Sequence, residues 1–287
     1  MPYFLALASA LLYGAGDFTG GLATRRAATL PVIVLSQLSG LVLLVVLLPF
    51  LPDASPSRAD LLWGMAAGLS GGTGVALLYH GLAIGRMAVV APTTAVCAVA
   101  VPVLASVAMG ERPAPVAAFG IGLGLMAIVL VSQQTAAETT TGESPRQGRL
   151  PPGVGIALVS GVAIGLFLLC LAQTRPDAGM YPILASRATS VTLFGLGALV
   201  TRRSLRIPGA LTLTLVCGVI DMAANALYLI AARTGPLSVV VTLSSLYPAS
   251  TVILARIVLG ERLNARQIAG VGCALAAIAL IVSGGPP

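Results

Sequence analysis

Charge is scarce in this sequence: Asp, Glu, Lys and Arg together supply 9% of 287 residues, where a soluble domain carries about 25%. So small a supply cannot cover a surface that faces water, which excludes a soluble globular protein and requires lipid as the outer solvent. Lysine is absent, and all 16 basic residues are Arg. The formal charge of +7 is scattered in ones, twos and threes between apolar runs, whereas nucleic-acid binders gather their basic residues on one face. No nucleic-acid partner is expected. The four cysteines, Cys97, Cys170, Cys217 and Cys273, form no CxxC pair and no His/Cys group of ligand spacing, so neither a metal nor a disulfide framework is implied. No cofactor is expected. The first apolar run has no basic segment before it and contains Asp17, which argues against a cleaved signal peptide.

Hydrophobic residues make up 57% of the chain, and the mean hydropathy is +1.00. An apolar run of about 20 residues crosses a bilayer as a helix. Ten such runs occur, over 3–23, 31–50, 60–83, 88–109, 114–132, 153–173, 181–200, 209–231, 237–259 and 265–283. The expected fold is an all-α integral membrane protein of ten transmembrane helices, with no room for a soluble catalytic domain. The Thr-, Gln-, Gly- and Pro-rich segment 133–152 reads as a linker between halves 1–132 and 153–287.

The halves resemble each other. Shifting the sequence by 150 aligns Ala76, Leu77, Gly85, Val89 and Val90 with Ala226, Leu227, Gly235, Val239 and Val240. The turn Gly110, Glu111, Arg112 then meets Gly260, Glu261, Arg262. Five crossings per copy deliver the chain to the opposite side, so the second copy is expected to enter upside down, as in the inverted repeats of secondary transporters.

Two carboxylates lie where water does not reach. An ionised Asp at the bilayer centre costs on the order of 3 kcal/mol or more, so it faces a cavity, finds a partner or stays protonated. With side A holding the termini and side B opposite, Asp221 lies about 18 Å into its span and Asp17 about 21 Å into the first, towards side B. Gln37 and His80 are expected near Asp17 as a polar cluster. Asp221, Asn225 and Tyr228 share one helix face by their i, i+4, i+7 spacing, and Arg187, two turns into its span, can reach that face. These seven are the candidates for substrate or proton contact. Each has a plainer alternative: helix-linking for the carboxylates and amides, snorkelling for Arg187, a satisfied structural role for His80.

Ser238, Thr242 and Ser245 line one face of span nine ahead of Tyr247, and are cavity-lining candidates unless they bond their own helix. Pro102 and Pro248 fall mid-span and are expected to bend helices four and nine. The two GER turns read as helix stops, with pairing across a gate as the alternative.

Both repeats, the runs VPVLASVAMGERP and PASTVILARIVLGERLNARQIAGVG, and the stretches YGAGDF and LYHGLAIG resemble the drug/metabolite transporter superfamily, specifically its EamA-type ten-helix permeases. The resemblance implies a carrier of small metabolites or drugs, often an efflux carrier, in a cell membrane, with a central cavity lined mainly by helices one, three, four, six, eight and nine; Tyr13 and Tyr79, on helices one and three, are cavity-lining candidates. It carries over no fixed set of site residues. It also implies cytoplasmic termini, whereas ten short-loop arginines on side B against four on side A place side B in the cytoplasm. The expected partners are a small-molecule substrate, the bilayer and, if transport is coupled, protons, in a monomer or homodimer. An intramembrane enzyme would need a His/Asp cluster that one histidine cannot supply.

Overall fold

The computed structural model describes residues 1–108, 115–132, 151–234, 240, 243–244 and 246–283. The described elements are helical: α1 (Pro2–Arg26), α2 (Thr29–Leu47), α3 (Arg58–Ile84), α4 (Met87–Ala108), α5 (Pro115–Ser132), α6 (Val154–Ala172), α7 (Tyr181–Val200), α8 (Leu211–Thr234), α9 (Tyr247–Val258) and α10 (Ala265–Ser283). By length and composition, five segments among the described residues can cross a membrane: Thr29–Phe50, Arg58–Ile84, Val154–Ala172, Tyr181–Val200 and Leu211–Ala231. Large apolar side chains such as Phe50, Phe119, Leu199 and Ile257 point outward. An exposed apolar surface of this kind belongs against acyl chains rather than water.

Pro102 and Pro248 fall within apolar runs four and nine. Pro102 lies inside α4 as expected, but Pro248 stands in the first turn of α9, after a turn at Leu246. A helix start does not need the missing N–H, so the ring fits there, and the run is helical on both sides of the turn, at 243–244 and from Tyr247.

Small residues bring the helices together. The α1 backbone lies against α9 at Gly14, α8 at Gly16 and α3 at Gly20, where a Cβ would run into Ser250, meet Asp221 or enter the Tyr79 ring. Gly68 and Gly72 of α3 take α7, Gly161 and Gly165 of α6 take α4, and Gly120 takes α10. Within a bilayer such close approach, rather than a hydrophobic drive, holds helices together.

Interhelical contacts come in pairs related by exchange of the halves: α1 packs on α8 as α6 packs on α3, α2 on α8 as α7 on α3, and α9 on α1 as α4 on α6. Individual hydrogen bonds follow the same exchange. Ser9 Oγ donates to the Ala224 carbonyl at 3.0 Å, and Ser160 Oγ to that of Gly74 at 2.7 Å. Ser244 Oγ reaches the Ala6 carbonyl at 3.4 Å, and Thr94 Oγ1 that of Ala157 at 3.2 Å. Such bonds are worth about 0.6 kcal/mol each in a membrane bundle. Helices α1 and α3 of the first half are thus packed mainly against α8 and α6 of the second, so residues on facing helices of different halves share the interior.

Candidate functional site

Three helices converge on one cation. Arg187 stands on α7 about 9 Å past its start at Tyr181 and directs its guanidinium inward, donating through Nη1 to Oε1 of Gln37 on α2 and through Nη2 to Oδ2 of Asp221 on α8. The Arg187 and Asp221 side chains are 14% and 22% exposed. A pair this enclosed is poorly screened, and either partner left alone would be an uncompensated charge in a medium of low dielectric. Close approach of α2 and α8 makes the geometry possible, with Gly40 against the Gly218 carbonyl.

Asp17 approaches from α1. Its neighbour Gly16 faces Asp221, where a Cβ would stand 3.6 Å from that of Asp221, and the two carboxyls lie within electrostatic reach of each other. Asp17 is only partly enclosed, and among the described residues it takes no hydrogen bond and no ion pair. Around it Tyr79 Oη on α3 sits 3.1 Å from Cys217 Sγ on α8, which lies 3.4 Å from the Gly16 carbonyl. Tyr13 and Tyr247 meet edge to face with centroids 6.2 Å apart, and Tyr13 is within electrostatic reach of Asp221, Tyr228 and Arg187. Among the described residues, the interior offers one fixed ion pair, one unpartnered carboxyl and a set of phenol hydroxyls. Among the described residues no group of His, Cys, Asp or Glu could hold a metal ion.

Several expected residues are placed elsewhere. Gln37 goes to Arg187 rather than to Asp17. His80 is exposed and meets Thr29 Oγ1 through Nδ1 at 3.3 Å, at the start of α2, so it does not join the Asp17 and Gln37 cluster expected from the sequence. Asn225 shares the Asp221 face but gives its amide to the Asp221 carbonyl at 2.8 Å. Tyr228 packs with Ala6, Ala231 and Val240. Ser238, Thr242 and Ser245 lie outside the described residues. One participant escapes sequence reasoning: Cys217 falls in an apolar run, though its i−4 position to Asp221 puts it on the same stripe. Glu261, in the second GER turn, has its carboxylate engaged at the start of α4.

A cavity of about 340 Å³ opens on side A, lined by residues including Leu51, Asp53, Met180, Tyr181 and Leu229. Met180 also packs with Leu44 and with Met222, the residue after Asp221.

The model of the EamA-like transporter family matches residues 1–133 and 151–283. No curated protein matches the chain. Among the solved structures that are similar, one crystal structure matches with a TM-score of 0.59 at 16% identity over 97% of this chain and 95% of that one; at that identity the likeness concerns the fold.

Proposed function

Because the chain belongs to the EamA-like transporter family, and is thereby a multi-pass membrane transporter of small molecules, we propose that it exports a small metabolite or drug across the cell membrane by alternating access. The two halves are read as inverted copies, 1–132 and 153–287 joined by the linker 133–152, which rock about the interior they share. The exchange-related contacts, such as Ser9 to Ala224 and Ser160 to Gly74, support that reading.

The carrying observation is Asp17, without a partner among the described residues, beside the Arg187–Asp221 pair. A carboxyl held in a membrane interior without a partner is a place for a proton or a substrate cation. In this scheme Asp17 binds and releases the proton that drives the cycle, Arg187, Asp221 and Gln37 form the fixed wall, and Tyr13, Tyr79 and Tyr247 face the substrate.

The test is flux in proteoliposomes across a metabolite and drug panel under an imposed pH gradient. Asp17→Asn is expected to lower gradient-driven flux by about tenfold or more, in the range by which loss of a proton-handling group slows a proton transfer. Full gradient-driven flux in both Asp17→Asn and Asp221→Asn would overturn the coupling. A second reading is proton-independent uniport or exchange. It is favoured by the engagement of Asp221 with Arg187, which removes one of the two carboxyls from proton traffic, and a rate indifferent to the gradient would support it.

A further inference from the structure

The end of the bundle on side B is tied by one carboxylate. Glu261, in the turn between α9 and α10, accepts the Met87 N–H through Oε1 and the Ala88 N–H through Oε2, both at 3.1 Å. These are the first two amides of α4, which have no carbonyl partner within their own helix, and a carboxylate there is favoured by the helix dipole as well. Arg25, in the last turn of α1, donates Nη2 to Glu261 Oε1 at 3.4 Å, and also holds the Leu82 and Gly85 carbonyls at 3.2 and 3.1 Å. One node therefore joins the ends of α1, α3 and α4 in the first half to the α9–α10 turn in the second.

The node lies on side B of the interior carboxyls. Arg25 is two turns beyond Asp17 on α1, about 12 Å along the axis. Helix α8 begins on side B, and Cys217 lies between that end and Asp221, fully buried against Gly16 and Tyr79. The bonds of the node are charge-assisted, yet the Arg25 and Glu261 side chains are 29% and 11% exposed, and a shallow cavity of about 370 Å³ lined by Arg256, Gly260, Glu261, Arg262 and Leu263 opens beside them. Water at its edge can replace these bonds one at a time, as a reversible closure requires and a dry core contact does not allow.

We propose that Glu261, Arg25 and the first turn of α4 form a latch that holds side B of the transporter shut, and that its release opens the interior to that side. This rests on the alternating-access reading above. Its state is read without substrate, so the two can fail separately.

Cys217 is a built-in reporter. With Cys97, Cys170 and Cys273 replaced by Ala in the full chain, the remaining thiol is titrated in nanodiscs with a small charged methanethiosulfonate, which needs a water path to reach it. Glu261→Gln keeps the shape and removes the charge, and is expected to speed modification about tenfold by shifting an opening equilibrium. Arg25→Gln should give a similar gain, and the double variant no more than either, because both act on one node. Added salt should speed modification of the parent but not of Glu261→Gln. Asp60→Asn, at the opposite end, should leave the rate unchanged. An unchanged rate in a folded Glu261→Gln protein, judged by its thermal midpoint and monodispersity, overturns the latch. So does a gain that is additive in the double variant and insensitive to salt, which is what simple loosening of the helix would give. Flux abolished across the whole panel with the modification pattern intact would sink the transport reading and leave the latch standing.

Discussion

Asp60 and Asp17 are both carboxylates on long apolar helices, and the chain treats them in opposite ways. Asp60, in the first turn of α3, accepts from the Ser57 amide at 2.8 Å, the Ser57 hydroxyl at 2.6 Å, and the Arg175 amide, Nε and Nη2 at 2.9, 3.2 and 3.1 Å. Its oxygens are filled, and the result is a capping box joined to a clamp on the end of α6. Asp17 has no such set among the described residues. A saturated carboxylate builds structure. An unsaturated one in a membrane interior raises the energy of the resting protein unless something else binds there. Asp221 falls between them, with one guanidinium partner, and its place in the interior wall follows from that.

The contrast can be broken most sharply at Asp221. Asp221→Ala leaves Arg187 charged and unpaired, and should cost about 3–5 kcal/mol, enough to lose much of the folded protein. Replacing both by Leu should restore the thermal midpoint in detergent while transport stays lost. A double variant as unstable as the single would show that the pair is not the source of the cost.

A smaller effect separates the other two carboxylates. Asp60→Asn should lower the thermal midpoint by a few degrees with flux retained, since it removes a cap and a clamp outside the interior. Asp17→Asn should leave the midpoint unchanged or raised while flux falls. If both lose stability and keep flux, the distinction between building and working carboxylates fails here. The smallest effect is expected at His80. His80→Ala removes one exposed contact with Thr29, and should change stability by less than about 0.5 kcal/mol and leave flux and its pH profile as they were. A displaced pH profile would return His80 to the proton path.

Much of the fold was legible because membrane spans advertise themselves. The apolar runs at 181–200 and 265–283 coincide with α7 and α10 to the residue, since a single segment can satisfy its own backbone in lipid only as a helix. The weaker points were those where local rules compete. Pro248 in an apolar run reads as a kink, and only the structure shows that a turn at Leu246 stands just before it, with Pro248 in the first turn of the helix that follows. Within the site, Arg187 and the Asp221 face were legible from helical periodicity. Gln37 was assigned to the wrong acid, because depth in the membrane locates a residue along the helix axis but does not say which neighbour its side chain faces.

The sequence alone determined that this chain lives in lipid, that it forms long helices, that its halves resemble each other, and that Asp17 and Asp221 are costly where they stand. All of these follow from composition, run length and period, which are local quantities. The tertiary structure decided which costs are met. It brought Gln37, Arg187 and Asp221 together across three helices, left Asp17 open, and carried Glu261 to the start of α4, 174 residues away in the chain. Pairings at that separation depend on how whole helices rotate and approach, and so on small residues such as Gly16 and Gly40 that let backbones meet; no local pattern encodes the partner.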